Sequence, residues 1–522
     1  MNICDSLERA KTQFAEKQAL IFKGKGTSYR EIYEQACRLS AVLRGRFSLE
    51  RGSRVAIFLP NIPEFILFYY AIQRIGAIAA SLNVMLKRNE VEFILRDSGS
   101  QLLITVPQFL EQVPENIPSL QTIVTVGETN RPGCYRFSEL LSESPFPELP
   151  SVSLTADDGA AILYTSGTTG QPKGVLLTHG NLISNAAATV HHTRMTPDDR
   201  LLCYLPLFHC FGQNFIMNTA MSAGAALILH ERFVPDEVLE SAQVNRASIF
   251  LGVPAVYLRL LTQPDVEKYL QTIRYYFSAA APLPVEVVRK WRDRFGQTIY
   301  EGYGLTETSP FATYNHDSDY REGSVGTAIQ DVEVKIIDQH GAKLPPGEVG
   351  EIAIKGPNVM KGYFNRPEET ADAIRDGWFL TGDIGKMDRD GYLYLVDRAK
   401  DMVNVSGFKV WPREVEEVLS AHDGVAEAAV IGIPDPVSGE AVKVFAVLKQ
   451  GARLTEQEVI DYCRNRMAVY KAPRHVEFID ALPRNPAGKV LKRELRAREA
   501  TLTPPSPEPV PRPPAGEGEG EG

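Results

Sequence analysis

Cysteine is scarce. Six residues are spread over a chain of 522, and no two form a C-x-x-C pair. That usage excludes a disulfide framework and offers no zinc ribbon. It predicts a reducing compartment. Positive charge is also in short supply: 56 Lys and Arg stand against 65 Asp and Glu, for a formal net charge of -9, without a long basic run. Phosphate backbones demand clustered cations, so a nucleic-acid partner is disfavoured. The opening "MNICDSLERAKTQFAEKQ" lacks the apolar core of a secretory signal. The most apolar stretch, "PEFILFYYAIQRIGAIAASLNV", is interrupted by Gln73 and Arg74. It reads as a buried helix, not a membrane span. The expectation is a cytoplasmic protein with no transmembrane segment.

Two nucleotide-binding signatures are missing. The Walker pattern G-x-x-x-x-G-K-[ST] fails at Lys173, which follows Pro172 and precedes Gly174, and fails again around Lys489. No G-x-G-x-x-G follows a strand. A Walker NTPase and a Rossmann dehydrogenase are therefore disfavoured.

What is present is globular. The chain is 44% hydrophobic and 23% charged, and its length calls for more than one domain. Residues 50 to 305 alternate short β-branched runs with amphipathic stretches: "RVAIFL" before "PEFILFYYAIQRIG", "ALILH" before "PDEVLESAQVN", "IRYYFSA" before "PVEVVRKWRDRFG". This is the pattern of an α/β fold, a largely parallel sheet covered by helices. From about Ser324, "VEVKIID", "GEIAIKG" and "GYLYLVD" predict a small β-rich subdomain. Beyond Arg398 to Lys400 a further α+β module follows, with helices at "WPREVEEVLSAH" and "TEQEVIDYCRNRM". The Pro/Gly/Glu-rich residues 499–522 cannot bury a core and are expected to be disordered.

The stretch "YTSGTTGQPKG", Tyr164 to Gly174, holds three glycines, three threonines, one serine and one lysine. It is read as a loop between a strand and a helix-like run. Seen alone it is a surface turn or an anion cradle, because glycines let successive N–H groups converge while hydroxyls and a lysine add donors. Thr306 and Glu307 in "YGLTE" follow a strand, where ligands bind in open α/β sheets. A threonine there can donate to phosphate and a carboxylate can hold Mg²⁺. Asp383 in "TGD" can accept from two ribose hydroxyls, Arg398 can hold a nucleotide, and Lys489 can neutralise charge on a reacting phosphate. Each has an ordinary alternative as a turn residue, surface ion pair or solvated lysine.

Taken in order, "YTSGTTGQPKG", "LPLFHCFG", "SAAAPLP", "YEGYGLTET", "GWFLTGD", "DRAKDMVNVSGFKVWPREVE" and "PRNPAGKVLKREL" resemble the adenylate-forming superfamily. The chain is most similar to its fatty acyl-CoA and 4-coumarate-CoA ligase branch, from about Ser28 to Leu495. The resemblance implies a large N-terminal AMP-binding domain of helix-covered sheets, residues 1–398. It implies a mobile C-terminal domain, residues 399–498, hinged near Lys400.

The activity it implies is ATP-dependent formation of an acyl-adenylate and transfer of the acyl group to a thiol, with Mg²⁺. That chemistry rests on positioning and charge neutralisation and needs no side-chain nucleophile. The resemblance assigns Thr165, Ser166, Gly167, Thr168, Thr169, Gly170 and Lys173 to the β- and γ-phosphates. It assigns Thr306 to the α-phosphate, Glu307 to Mg²⁺, and Ala280, Ala281, Glu301, Gly302 and Tyr303 to the adenine border. Asp383 and Arg398 fall to the ribose, Lys489 to the carboxylate and α-phosphate, and His209 to the acyl site. Ser406, Gly407 and Phe408 would line the thiol channel. Ala279 departs from the glycine often found there and adds a methyl group on the adenine side.

The stretch "HCFGQNFIMNTAMSAG" carries neither an acidic residue nor an arginine. An amino acid would want the first and a dicarboxylate the second. Phe211, Phe215 and Phe311, with Met217, suit an apolar tail. A medium- or long-chain fatty acid is the first expectation and an arylpropenoate the second. The acceptor is coenzyme A or the phosphopantetheine arm of an acyl carrier protein. CoA is favoured because no large insertion precedes the C-terminal domain. A nucleotide-binding relative without catalysis is the non-enzymatic alternative, and intact Glu307, Asp383, Arg398 and Lys489 argue against it.

Overall fold

A computed structural model describes residues 2–142, 152–166, 172–486 and 488–502. The chain forms two compact units. The first comprises Met1–Met402 together with Arg484–Lys489, and the second Val403–Pro483 and the residues from Val490 onward. The division thus falls after Met402, four residues beyond the expected boundary, and the segment bearing Lys489 belongs with the first unit.

Among the described residues the first unit holds three sheets. One runs in the order Thr327–Ala328, Thr313–Tyr314, Ile299–Tyr303, Tyr275–Ser278, Ile249–Gly252, Arg200–Cys203, Ala226–Leu229, Gln18–Phe22 and Lys25–Ser28. Its central pairings, from Ile299–Tyr303 through to Gln18–Phe22, are parallel. A second carries parallel strands Gly159–Ser166, Ile78–Ser81, Arg54–Phe58, Leu102–Thr105, Thr122–Thr125 and Cys134–Arg136. Strands such as Ile78–Ser81, Ile249–Gly252 and Tyr275–Ser278 are buried at every position. Helices cover both faces of such sheets, which is why their sequences read as continuous apolar runs.

Helix Pro63–Arg74 starts on its proline and buries ten of its residues, including Gln73 and Arg74. Gln73 is tolerated because its amide donates to Ala160 O over 3.0 Å. Among the described residues no helix is long and apolar enough to cross a membrane. The β-rich part pairs Glu333–Ile337, Val349–Lys355, Trp378–Met387 and Ile374–Arg375, with Leu393–Arg398 on the long strand.

The glycine-rich stretch departs from expectation. Strand Gly159–Ser166 is followed not by a helix but by an antiparallel partner, Pro172–Thr178, with Thr165 opposite Lys173. The helix begins only at His179, where Thr178 caps it by accepting from Asn181 N–H. The short apolar run "VLL" could be either element by periodicity alone.

The second unit pairs Phe408–Val410, Val403–Val405, Gly439–Leu448 and Val425–Asp435, with His475–Phe478 parallel to Gly439–Leu448. Helices Pro412–Ser420 and Glu456–Arg464 bury Val415, Leu419, Val459 and Cys463 in its core. Helix Lys492–Leu502 extends four residues into the stretch expected to be disordered, and the tail from 503 lies outside the described residues.

Candidate active site

Four adjacent parallel strands, Arg200–Cys203, Ile249–Gly252, Tyr275–Ser278 and Ile299–Tyr303, end on the same edge. Past their carboxyl ends come His209, Val253, Ala279 to Ala281, and Thr306 with Glu307, the position where open α/β sheets bind ligands. A side chain at Gly304 would put its Cβ 1.7 Å from Pro310 O, so only glycine lets the chain double back and present Thr306 and Glu307. Ala280 takes a left-handed φ of 69°, uncommon for a residue with a Cβ, and the bend turns the Ala279 to Ala281 backbone at the strand's end.

Asp383 and Arg398 face each other across strands Trp378–Met387 and Leu393–Arg398. Arg398 Nε lies 3.1 Å from Asp383 Oδ1, and Tyr303 Oη donates to Asp383 Oδ2 over 2.7 Å. A carboxylate oxygen has two lone-pair sites, so Asp383 retains acceptor capacity for further hydroxyls. Tyr303, expected only along the adenine border, also orients this carboxylate.

Lys489 joins the same unit. A Cβ at Gly488, whose φ is 80°, would lie 2.8 Å from Val253 Cγ2, so the loop approaches the end of the central strand as only glycine permits. Lys489 N–H donates to Asn485 Oδ1, and Arg484 Nη1 to Gly488 O. Burial, then the positive charge of Arg398, lowers the Lys489 ammonium to about 8. His209 is lowered to about 4 by burial and by the charge of Lys489. Its Nδ1 accepts from Phe211 N–H at 3.3 Å, so the neutral ring carries its proton on Nε2.

Glu307 is half-buried and burial raises its carboxyl above the usual range, while Tyr363 Oη, donating to Oε1 over 3.1 Å, opposes that rise. Lys173 forms an ion pair with Glu369 and lies 5.2 Å from the Tyr363 ring centroid. Gly167, Thr168, Thr169 and Gly170, and the Ser166 side chain, lie outside the described residues.

The expected acyl wall is brought together. Phe215 stacks on Phe277 at 5.0 Å and meets Phe211 and Phe311 edge-on at 5.1 Å each. Phe211 and Phe215 project from a π-helical turn, Phe211–Asn218. The same turn carries fully buried polar residues: Asn214 Nδ2 donates to Ser309 O at 2.6 Å, and Asn218 Nδ2 to Asn214 Oδ1 at 2.9 Å. Asn185 and Asn358 both donate to Phe311 O, at 2.7 and 2.8 Å. The wall is therefore fixed from behind by amides.

In the second unit, Ser406 and Gly407 form a left-handed turn, with φ of 51° and 88°, between strands Val403–Val405 and Phe408–Val410. Phe408 is exposed and stacks on Tyr470 at 4.7 Å. Lys400, in the first unit, is exposed on the short turn Ala399–Asp401.

Comparison with known proteins decides the family. The model for AMP-binding enzyme matches residues 7–364, and that for the AMP-binding enzyme C-terminal domain matches residues 414–489. This chain belongs to the AMP-binding enzymes. A long-chain-fatty-acid–CoA ligase of Bacillus subtilis is 35% identical over 93% of this chain and 92% of its own length. A feruloyl-CoA synthase of Amycolatopsis is 37% identical over 91% of this chain and 94% of its own. An anthranilate CoA ligase structure with anthranoyl-AMP superposes at a TM-score of 0.91, with 30% identity over 96% of this chain and 98% of its own. The ATP-bound MatB of Rhodopseudomonas palustris gives 0.89, with 34% identity over 96% and 100%.

As an AMP-binding enzyme the chain is an acid–thiol ligase of the AMP-forming type, an acyl-CoA ligase that works through an adenylate. Sequence reading missed three groups that engage residues of the candidate site. Tyr363 stands 56 residues from Glu307, Asn358 stands 47 from Phe311, and Glu369 lies far more distant in sequence from Lys173. For Tyr363 and Glu369 the available signal was the glycine and proline framing of "KGYFNRPEE", which marks a turn but names no partner.

Proposed function

We propose that this enzyme activates a medium- or long-chain fatty acid with ATP and transfers the acyl group to coenzyme A. The observation that carries the reading is the wall of Phe211, Phe215, Phe277 and Phe311. Phe211, Phe215 and Phe277 are at most 4% exposed, and Phe311 is 3% exposed. The stretch contributing two of these rings has no charged group to pair an ammonium or a second carboxylate. Similarity to a long-chain-fatty-acid–CoA ligase supports it.

The substrate carboxylate oxygen attacks the α-phosphorus of ATP, and the bond to the β-bridging oxygen breaks, releasing pyrophosphate. Thr306 donates to the α-phosphate. Lys489 neutralises the charge gathering there and on the attacking carboxylate. Asp383 and Arg398 hold the ribose, and the stretch from Thr165 to Lys173 holds the β- and γ-phosphates. The donor set fits magnesium: Mg²⁺ on a nucleotide takes one or two carboxylates plus phosphate oxygens and water, and Glu307 is a half-buried carboxylate beside Thr306. The ion, held by Glu307, would neutralise phosphate charge. Neutral His209 borders the acyl carbonyl without competing for the anion.

In the second step the thiol sulfur attacks the acyl carbonyl, AMP leaves, and the thiol proton passes to solvent. Rotation about Lys400 would exchange Lys489 for the turn Ser406 to Phe408, which lines the thiol channel.

The ring-on-ring wall also favours a second reading, an arylpropenoate, to which the 37% identical feruloyl-CoA synthase lends support. A panel of fatty acids, arylpropenoates, amino acids and malonate, crossed with CoA and a phosphopantetheinylated carrier protein, tests these readings by AMP and pyrophosphate release. Preference for an amino acid or malonate would overturn the apolar-acid reading. AMP turnover with the carrier protein but not with CoA would make the acceptor a carrier protein.

A further inference from the structure

The Lys173 ammonium is already engaged. Its partner, Glu369, sits on helix Pro367–Ala373, and the lysine and glutamate side chains are 17% and 37% exposed. Glu369 has a second cation, Arg366, at 3.6 Å, but Arg366 is held more closely by Asp97 at 2.8 Å. Asp97 in turn accepts from Tyr164 Oη at 2.8 Å. The backbone fixes this arrangement. Gly362 and Tyr363 pair with Leu176 and Val175, and Phe364 N–H donates to Gly174 O at 2.7 Å. The strand bearing Lys173 and the helix bearing Glu369 are therefore held side by side.

We propose that Glu369 is an intramolecular counter-ion for Lys173 that the polyphosphate of ATP displaces. This makes Glu369 a positioning residue, and it rests on the reading above that Lys173 contacts the β- and γ-phosphates. The chemistry is competition. An ammonium has three donors on one charge, and a carboxylate that holds it must be given up, at least in part, before it reaches a phosphate. The exchange weakens ATP binding by the strength of the pair. It also keeps the lysine extended beside the Tyr363 ring, and recapture by Glu369 after adenylation eases pyrophosphate departure. A partly exposed pair is weak, so the effect is about two- to fivefold.

The experiment is calorimetric titration of the full chain with Mg·ATP, Mg·pyrophosphate and AMP, with no acid present. Glu369→Gln is expected to tighten ATP and pyrophosphate about two- to fivefold and to leave AMP unchanged. Glu368→Gln removes the same charge one residue away and is expected to change neither. In a Lys173→Met background Glu369→Gln is expected to have no effect. Unchanged or weaker ATP binding in Glu369→Gln, an equal gain for AMP, or a gain that survives Lys173→Met would overturn the proposal. Lys173→Met alone separates the two readings. If it leaves ATP affinity unchanged, the phosphate role of Lys173 fails and this proposal with it. If it weakens ATP while Glu369→Gln does nothing, only the counter-ion role fails. Glu369→Asp, which shortens the reach and keeps the charge, serves should the glutamine variant fold poorly, with a smaller gain of the same selectivity expected.

Discussion

Asp383 is gripped from two sides: Tyr303 Oη donates to Oδ2 over 2.7 Å, and Arg398 Nε stands 3.1 Å from Oδ1. The carboxylate is 7% exposed and cannot swing to meet a ligand, so it is preorganised. Asp383→Asn removes the charge that strengthens its acceptor bonds and presents an amide donor in place of one oxygen. A hydrogen bond to a charged group is worth about 1.5–3 kcal/mol, so AMP affinity is expected to fall roughly tenfold to a hundredfold. Tyr303→Phe keeps the charge and loses one support, so a few-fold loss is expected. Calorimetry with AMP checks both, and equal losses would contradict the division of roles.

The lowered Lys489 sets a pH dependence with a definite sign. Its cationic form is the acid form, and burial and Arg398 bring its titration down to about 8. On the proposed reading adenylation needs the cation, so kcat/KM for ATP, which reports the free enzyme, is expected to fall as pH rises through about 8. Lys489→Arg, charged at every accessible pH, is expected to lose that limb even though its rate is lower. Lys489→Ala is expected to abolish pyrophosphate release yet still make thioester from supplied acyl-adenylate. Equal loss of both half-reactions would contradict the two-step assignment.

Much of the scaffold was legible because burial on both faces writes itself as unbroken apolar runs, as in Ile249–Gly252 and Tyr275–Ser278. The strand Pro172–Thr178 was not, because a run as short as "VLL" fits a strand or a helix and the deciding partner is another strand. Of the candidate site, the motifs marked the residues themselves but not the groups that hold them. Asp383 could be picked from "TGD", but the hydroxyl that orients it comes from Tyr303, 80 residues away. The π-helical turn Phe211–Asn218 was hidden for a different reason. Its wider turn shifts which residues share a face, so a 3.6-residue period does not give the surroundings of Asn214 and Asn218.

His209 is expected to act only as a neutral ring. Burial and Lys489 lower it to about 4, and its Nδ1 already accepts from Phe211 N–H. Protonation would therefore begin well below pH 6, and the adenylation rate should show no limb near the ordinary imidazole value. His209→Asn is expected to lower the rate without altering the profile between pH 5.5 and 7.5. A limb near 6.5 that vanishes in His209→Asn would show the imidazolium at work.

Chain-length preference is expected to rest on Phe215. Its ring is 2% exposed and touches Phe211, Phe277 and Phe311, so on the proposed reading its bulk closes space that a longer tail would occupy. Phe215→Ala should shift the optimum among fatty acids toward longer chains and weaken arylpropenoates, which lose a stacking partner. The cost is stability: truncating a buried phenylalanine to alanine typically loses about 3–5 kcal/mol, visible as a lower melting temperature. Phe215→Leu separates the two effects, because it retains much of the packing while removing the ring. The measurement is the ratio of kcat/KM values between a long and a medium acid, each with CoA, which cancels any loss of folded enzyme. A ratio unmoved in both variants would place the length limit elsewhere along the wall, with Phe311 the next residue to truncate.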